Sequence, residues 1–167
     1  MNHQRSLLMA GIVVASVGMF MLLTMNRDER IIRRNLEDLI ARCEKKSGRG
    51  VFQTLASAAD IRTFFTTDAL LNLGKPYPAQ LEARELPPLI ARAHLELESL
   101  QITVNGVEFL PRTAPDQVET RLAAELKAQR GEMAERFLDE YRVRWKKIDG
   151  DWKIAEARSD SSIQPTW

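Results

Sequence analysis

Apolar and polar positions alternate differently along this chain, and each change of pattern marks a different kind of element. Residues 7–25, LLMAGIVVASVGMFMLLTM, carry no charge and only Ser16 and Thr24 as polar side chains. At about 1.5 Å per residue such a run is as long as a bilayer's hydrocarbon core is thick, so it predicts a membrane span. The alternative is a signal peptide cleaved after Val13-Val14-Ala15, but the apolar run continues well beyond that point. From Asp28 to Lys46 the pattern turns amphipathic, with Ile32, Leu36, Leu39, Ile40 and Cys43 at three- and four-residue steps among charges. Asn26 or Asp28 can cap this helix, and Ser47-Gly48 with Gly50 ends it. No Pro/Ser/Gly linker separates it from the apolar run, which predicts direct attachment.

Val51 to Leu73 holds Phe52, Leu55, Ile61, Phe64, Phe65, Leu70 and Leu71, interrupted by Asp60 and Asp68. Two short capped helices are expected there. Gly74-Lys75-Pro76-Tyr77-Pro78 reads as a loop, because its prolines lack helix donors and push each preceding residue to extended conformations. A further helix is expected over Glu85–Glu96, with Pro87 tolerated in its first turn. In Leu97–Leu110, alternating Leu100, Ile102 and Val104 precede Asn105-Gly106, then Val107 and Phe109, the signature of a hairpin. Pro111–Pro115 reads as a turn. Gln117–Glu140 fits two templates. Val118, Leu122 and Leu126 recur every four residues in a segment rich in helix formers, yet Val118, Thr120, Leu122, Ala124 and Leu126 also alternate. The pattern is clearest in Tyr141–Ala157, where Tyr141, Val143 and Trp145 alternate with Arg142, Arg144 and Lys146. Asp149-Gly150 then supplies a tight turn, and Trp152 and Ile154 resume on its far side.

That closing DGDWKI run, preceded by helices, resembles the nuclear transport factor 2-like superfamily, which also houses SnoaL-type cyclases, ketosteroid isomerase and scytalone dehydratase. The likeness spans roughly Asp28 to Ile163. It implies an α+β fold, a cone of about three helices packed on a curved, mostly antiparallel sheet. It also implies that Gln117–Glu140 forms two long antiparallel strands with a turn around Gln129 to Gly131, and this assignment is adopted against local helix propensity. The expected domains are 1–26 as tail and transmembrane anchor, 27–163 as the superfamily domain, and 164–167 as a tail. Because the superfamily is a scaffold for unrelated activities, the likeness implies a fold more than a function.

Without residues 1–26 the chain has equal numbers of acidic and basic residues. A neutral domain with no basic block excludes nucleic acid as the expected partner. Cys43 is the only cysteine and the two histidines are His3 and His94, so neither an intrachain disulfide nor a cysteine or histidine metal cluster is expected. No cofactor is expected either: phosphate-cradling glycine loops and G-x-S-x-G or H-E-x-x-H motifs are missing. Arginines 27, 30, 33, 34 and 42 follow the span whereas only Arg5 precedes it, which by charge count holds the domain in the cytoplasm. Acidic neighbours and the length of the domain weaken that count. The domain is therefore expected on the periplasmic side of the inner membrane.

Within the implied cone, Phe64, Phe65, Asp68, Tyr77, His94, Tyr141 and Trp145 are the ligand-pocket candidates, with Arg112 and Asp116 as further polar groups. Asp68 as base with Tyr77 or Tyr141 as donor would suit proton abstraction next to a carbonyl, but no catalytic residue is assigned. Arg142, Arg144 and Lys146 form a cationic stripe, either a solvated face paired with acids or a partner surface; the resemblance implies a dimer face there. The expected function is a membrane-anchored, non-catalytic binding or assembly module that touches the bilayer through 7–25 and pairs with itself or with a membrane-complex protein. The alternatives are a cyclase, isomerase or dehydratase using the pocket, and a carrier of a small apolar ligand.

Overall fold

The computed structural model describes residues 27–45, 59–74 and 80–160. Two compact units divide the chain, Met1–Arg34 and Asn35–Trp167, and the sheet belongs to the second. In the described residues the first unit contributes the opening of helix α1 (residues 27–43), whose later part carries Leu36, buried as its apolar spacing requires. The expected span over 7–25 lies outside the described residues. Among those described, no helix is long and apolar enough to cross a membrane.

The second unit is organised by alternation. Strands β4 (Gln117–Arg130) and β5 (Met133–Ile148) pair antiparallel without a break, from Gln117 opposite Lys146 to Arg130 opposite Met133. Gly131, at φ 57°, takes the left-handed position between them. The helix-forming residues of β4 are thus held extended by their partner strand. Asp149 (φ 52°) and Gly150 (φ 90°) then make the expected two-residue turn into β6 (Asp151–Ser159), where both central residues need positive φ. Paired residues share a face, so Trp145 meets Val118 on one side and Ile154 on the other, while Arg144 meets Glu119 and Glu156 on the opposite face.

The full order is β2-β1-β6-β5-β4-β3, antiparallel except where β1 (Phe65–Asn72) runs parallel to β6. β2 (Leu81–Glu82) and β3 (Ser99–Phe109) are the edges. Two sequence expectations are corrected here. Phe65–Asn72, assigned to helix, is a strand preceded by the 3₁₀ turn Ile61–Phe64; its pairing partner lies far along the chain, so no local turn signal announced it. Asn105-Gly106 does not close a hairpin. β3 passes straight through it with a register shift between Asn105 and Glu108, and Gly106 (φ 62°) serves a bulge. The expected helix at Glu85–Glu96 is present as α2 (Leu86–Glu96), begun by proline and by a capping box between Glu82 and Glu85.

One face of the sheet is the core. Trp145, Trp152, Ile154, Val118, Val143 and Leu71 are buried there. The Trp145 Nε1–H donates to Thr120 Oγ1 at 3.0 Å, so the one polar atom of the largest buried ring is satisfied inside the core. Asn35 Nδ2 donates to the Trp152 carbonyl at 2.9 Å, which ties α1 to β6. Trp145→Phe should therefore lower unfolding stability by about 1–3 kcal/mol, because Thr120 loses its donor. Trp145→Ala should cost about 3–5 kcal/mol in denaturant titrations, through the added cavity.

Candidate functional site

Among the described residues, the sequence-predicted candidates fall at several places on the sheet and helices. Phe65 and Trp145 are buried side chains, 7% and 1% exposed. Phe64 is half-buried under the Arg42 guanidinium, 5.5 Å from its ring centroid. Tyr77 lies outside the described residues. Arg112 sits over the Trp152 ring at 5.6 Å, with Lys147 at 5.4 Å. The Asp116 carbonyl accepts from the Lys147 backbone N–H at 2.8 Å.

His94, near the end of α2, is buried, with its Nε2 2.7 Å from the Cys43 carbonyl. Since a carbonyl only accepts, Nε2 carries the proton. Lys45 Nζ caps the same helix end by donating to the carbonyls of His94 and Leu97 at 2.7 and 2.6 Å. The Lys45 backbone pairs with Leu100, and the Glu44 carboxylate accepts from Ile102 N–H at 3.0 Å, so residues 44–45 cover the start of the β3 edge. His94 thus joins the ends of the two helices through Nε2, while its buried Nδ1 has no hydrogen-bond partner. Burial, and then the Glu44 charge, push the Cys43 thiol up to about 12, although the residue as a whole keeps partial exposure.

A second polar cluster lies on the helix-covered face, and sequence reasoning found only its Tyr141. Ser159 Oγ–H donates to Asp139 Oδ2 at 2.5 Å, and Glu140 N–H donates to Asp139 Oδ1 at 2.8 Å. Tyr141 O–H reaches the Leu73 carbonyl at 3.3 Å, and Gly74 N–H donates to Asn72 Oδ1 at 3.1 Å. Gly74 (φ 76°) lies so close that a Cβ there would meet Ser159 Oγ at 3.0 Å. The cluster clasps the end of β1 to β5 and β6, and Ser159 is fully buried beneath it. Continuing the alternation back from Tyr141 would have placed Asp139 on this face.

Asp68, Arg144 and Lys146 do come together, on the opposite, solvent-facing side. With Leu70, Gln117, Ala155 and Glu156 they line an open groove of about 320 Å³. Two irregularities shape it: β6 bulges at Ala155, opposite the step from Arg144 to Trp145, and β1 shifts register between Phe65 and Leu70. The Asp68 carboxyl is held below its usual value, first by the Thr66 hydroxyl, then by its own backbone N–H and the Lys146 charge. That direction is wrong for a general base working near neutrality. Elsewhere on this face the cationic stripe is matched by acids: Arg142 lies 3.5 Å from Glu119, Arg144 is bonded to Glu156, and Arg121 lies 2.8 Å from Glu140. Among the described residues no group of three or more acidic, histidine or cysteine side chains is placed to hold a metal ion.

No protein-family model matches the chain, and no curated protein matches it in sequence. Solved structures do match in shape. A candidate scytalone dehydratase from Novosphingobium aromaticivorans superposes with a TM-score of 0.65 at 11% identity, over 81% of this chain and 85% of that one. A type 2 hexachlorocyclohexane dehydrochlorinase gives 0.63 at 13% identity, over 82% and 86%. An NTF2-like protein with a cystatin-like fold, also from N. aromaticivorans, gives 0.61 at 12%, over 86% and 87%. At these identities the likeness establishes the fold: a curved mixed sheet of the nuclear transport factor 2-like, cystatin-like kind.

The Cys43 shift gives a test with a definite sign. The folded thiol holds its proton more tightly than the unfolded one, so stability should fall as pH rises from the ordinary 9.0 toward about 12. Iodoacetamide at pH 8 should label Cys43 slowly in the folded chain and rapidly in denaturant, as mass spectrometry would read.

Proposed function

We propose that this chain is a non-catalytic binding or assembly module on the nuclear transport factor 2-like fold, held at a membrane by residues 7–25, with the outer face of the sheet as its working surface. One observation carries this. On the described inner face the Tyr141 hydroxyl and the Asp139 carboxylate, groups that acid/base chemistry would use, are occupied in structural bonds at Leu73 and Ser159. The open groove lies on the outer face instead. The uncharged run 7–25 supports the anchor, and tethering concentrates and orients a binding module. On this proposal the membrane is the inner one, the domain stands on its periplasmic side, and the partner is a second copy or a membrane-complex protein.

A second function has one observation in its favour. Structural neighbours are named as a dehydratase and a dehydrochlorinase, and here the Asp139 carboxylate and Tyr141 phenol stand on the same face two residues apart on β5. A dehydratase or isomerase would need Ser159 to release Asp139.

Extraction of the full chain from its native membrane tests the proposal. The chain should resist a carbonate wash and then elute in mild detergent as an assembly larger than its own monomer. Asp139→Asn and Tyr141→Phe should leave that assembly intact. Release by carbonate would remove the anchor, and a monomeric elution would remove the assembly role.

A further inference from the structure

The outer face contains one row in which two lysines stand opposed, with Asp68 across the groove acting on the first of them. Across β4, β5 and β6 the register sets Glu119, Arg144 and Glu156 side by side, acid, base and acid. The neighbouring row Arg121, Arg142 and Arg158 is all cationic, but Glu140, Glu119 and Asp160 reach into it at 2.8, 3.5 and 3.5 Å. The next row is Gln117, Lys146 and Lys153. Lys146 and Lys153 stand directly opposite each other, an arrangement that weakens a sheet; among the described residues no carboxylate lies within 4.0 Å of either amine, and Lys146 acts on Asp68 only across the groove. Gln117 supplies an amide where the preceding row has a carboxylate. A two-lysine opposition beside a groove is what a site for an external anion requires.

We infer that Lys146, Lys153 and Gln117 form a carboxylate-binding subsite at the edge of the outer groove, and that the groove takes an extended acidic segment of a partner protein. This deepens the binding role proposed above and rests on it. Lys146 and Gln117 join the row to the groove wall, so a carboxylate on the lysines lies next to Leu70, an apolar side chain left 41% exposed. The occupant is therefore a peptide that alternates acidic with aliphatic residues. Ala155, the bulged residue, is a small side chain in the groove lining. Asp68 on another wall stays ionised, so it accepts from peptide N–H groups and repels a uniformly anionic surface. That carboxylate, with Glu156 beside it, disfavours a nucleic-acid backbone and a sheet of lipid headgroups, which would set phosphates against both.

The test uses the full chain in detergent micelles and a fluorescein-labelled peptide of alternating Glu and Leu, read by anisotropy, with an alternating Lys and Leu peptide as control. Lys146→Gln combined with Lys153→Gln should weaken the acidic peptide by about tenfold or more. Arg136→Gln, the loss of one positive charge at the far end of the face, should change it by less than about twofold. The double variant should unfold at no lower denaturant concentration than the parent, because the opposed charges are relieved. Equal loss in Arg136→Gln, undiminished binding in the double variant, or equal affinity for the Lys and Leu peptide would each overturn the assignment. So would a peptide-free chain that goes from dimer to monomer in the double variant, which would give the face to a second copy. If the peptide fails to bind while the membrane extract still yields a large assembly, the subsite falls and the module stands. If the extract is monomeric and the peptide still binds, the assembly role falls and the subsite stands.

Discussion

The pairing of Gln117–Arg130 with Met133–Ile148 is the constraint on which the rest of the structure depends. Taken alone, Ala, Glu, Leu, Lys and Arg in the first of these strands favour a helix. They are extended because the second strand offers aromatic and β-branched partners in register: Val118 beside Trp145, Thr120 beside Val143, Leu122 beside Tyr141. The buried bond from Trp145 to Thr120 fixes that register from inside. A slip of one residue would turn Arg144 into the core and Trp145 into water, so the faces are strongly specified.

Once the faces are set, the division of labour follows. The inner face is spent on stability: the tryptophans fill it, and its polar groups tie helix ends and strand ends together at His94, Asp139 and Ser159. The outer face is charged and mostly neutralised by cross-strand acids, which makes it soluble without making it adhesive. Where bulges interrupt the ladder, a groove opens, lined by Asp68 and Glu156 as well as Arg144 and Lys146.

Much of this was legible in the residues. The Asp149-Gly150 turn fixes the β5–β6 register as far as the bulge at Ala155, and counting outward from it pairs Lys146 with Lys153 from the sequence alone. The strand assignment of Gln117–Glu140 needed the family likeness, because helical and alternating periods overlap there. Phe65–Asn72 was not legible: its parallel partner is β6, its register is irregular, and Leu70 and Leu71 break its alternation. Asn105-Gly106 misled because a hairpin turn and a bulge both use a glycine at positive φ. His94 was a ligand-pocket candidate in the sequence; its Nε2 partner is a backbone carbonyl 51 residues away, a contact only the folded chain defines.

The most direct test is a nuclear Overhauser experiment on the isotope-labelled full chain in micelles. Cross-strand Hα and amide contacts between Thr120 and Val143 and between Glu119 and Arg144 should appear, with none of the Hα(i) to amide(i+3) contacts of a helix in Gln117–Arg130. A continuous run of those helical contacts would contradict the account, because core, clasp and groove would then have no common sheet to stand on.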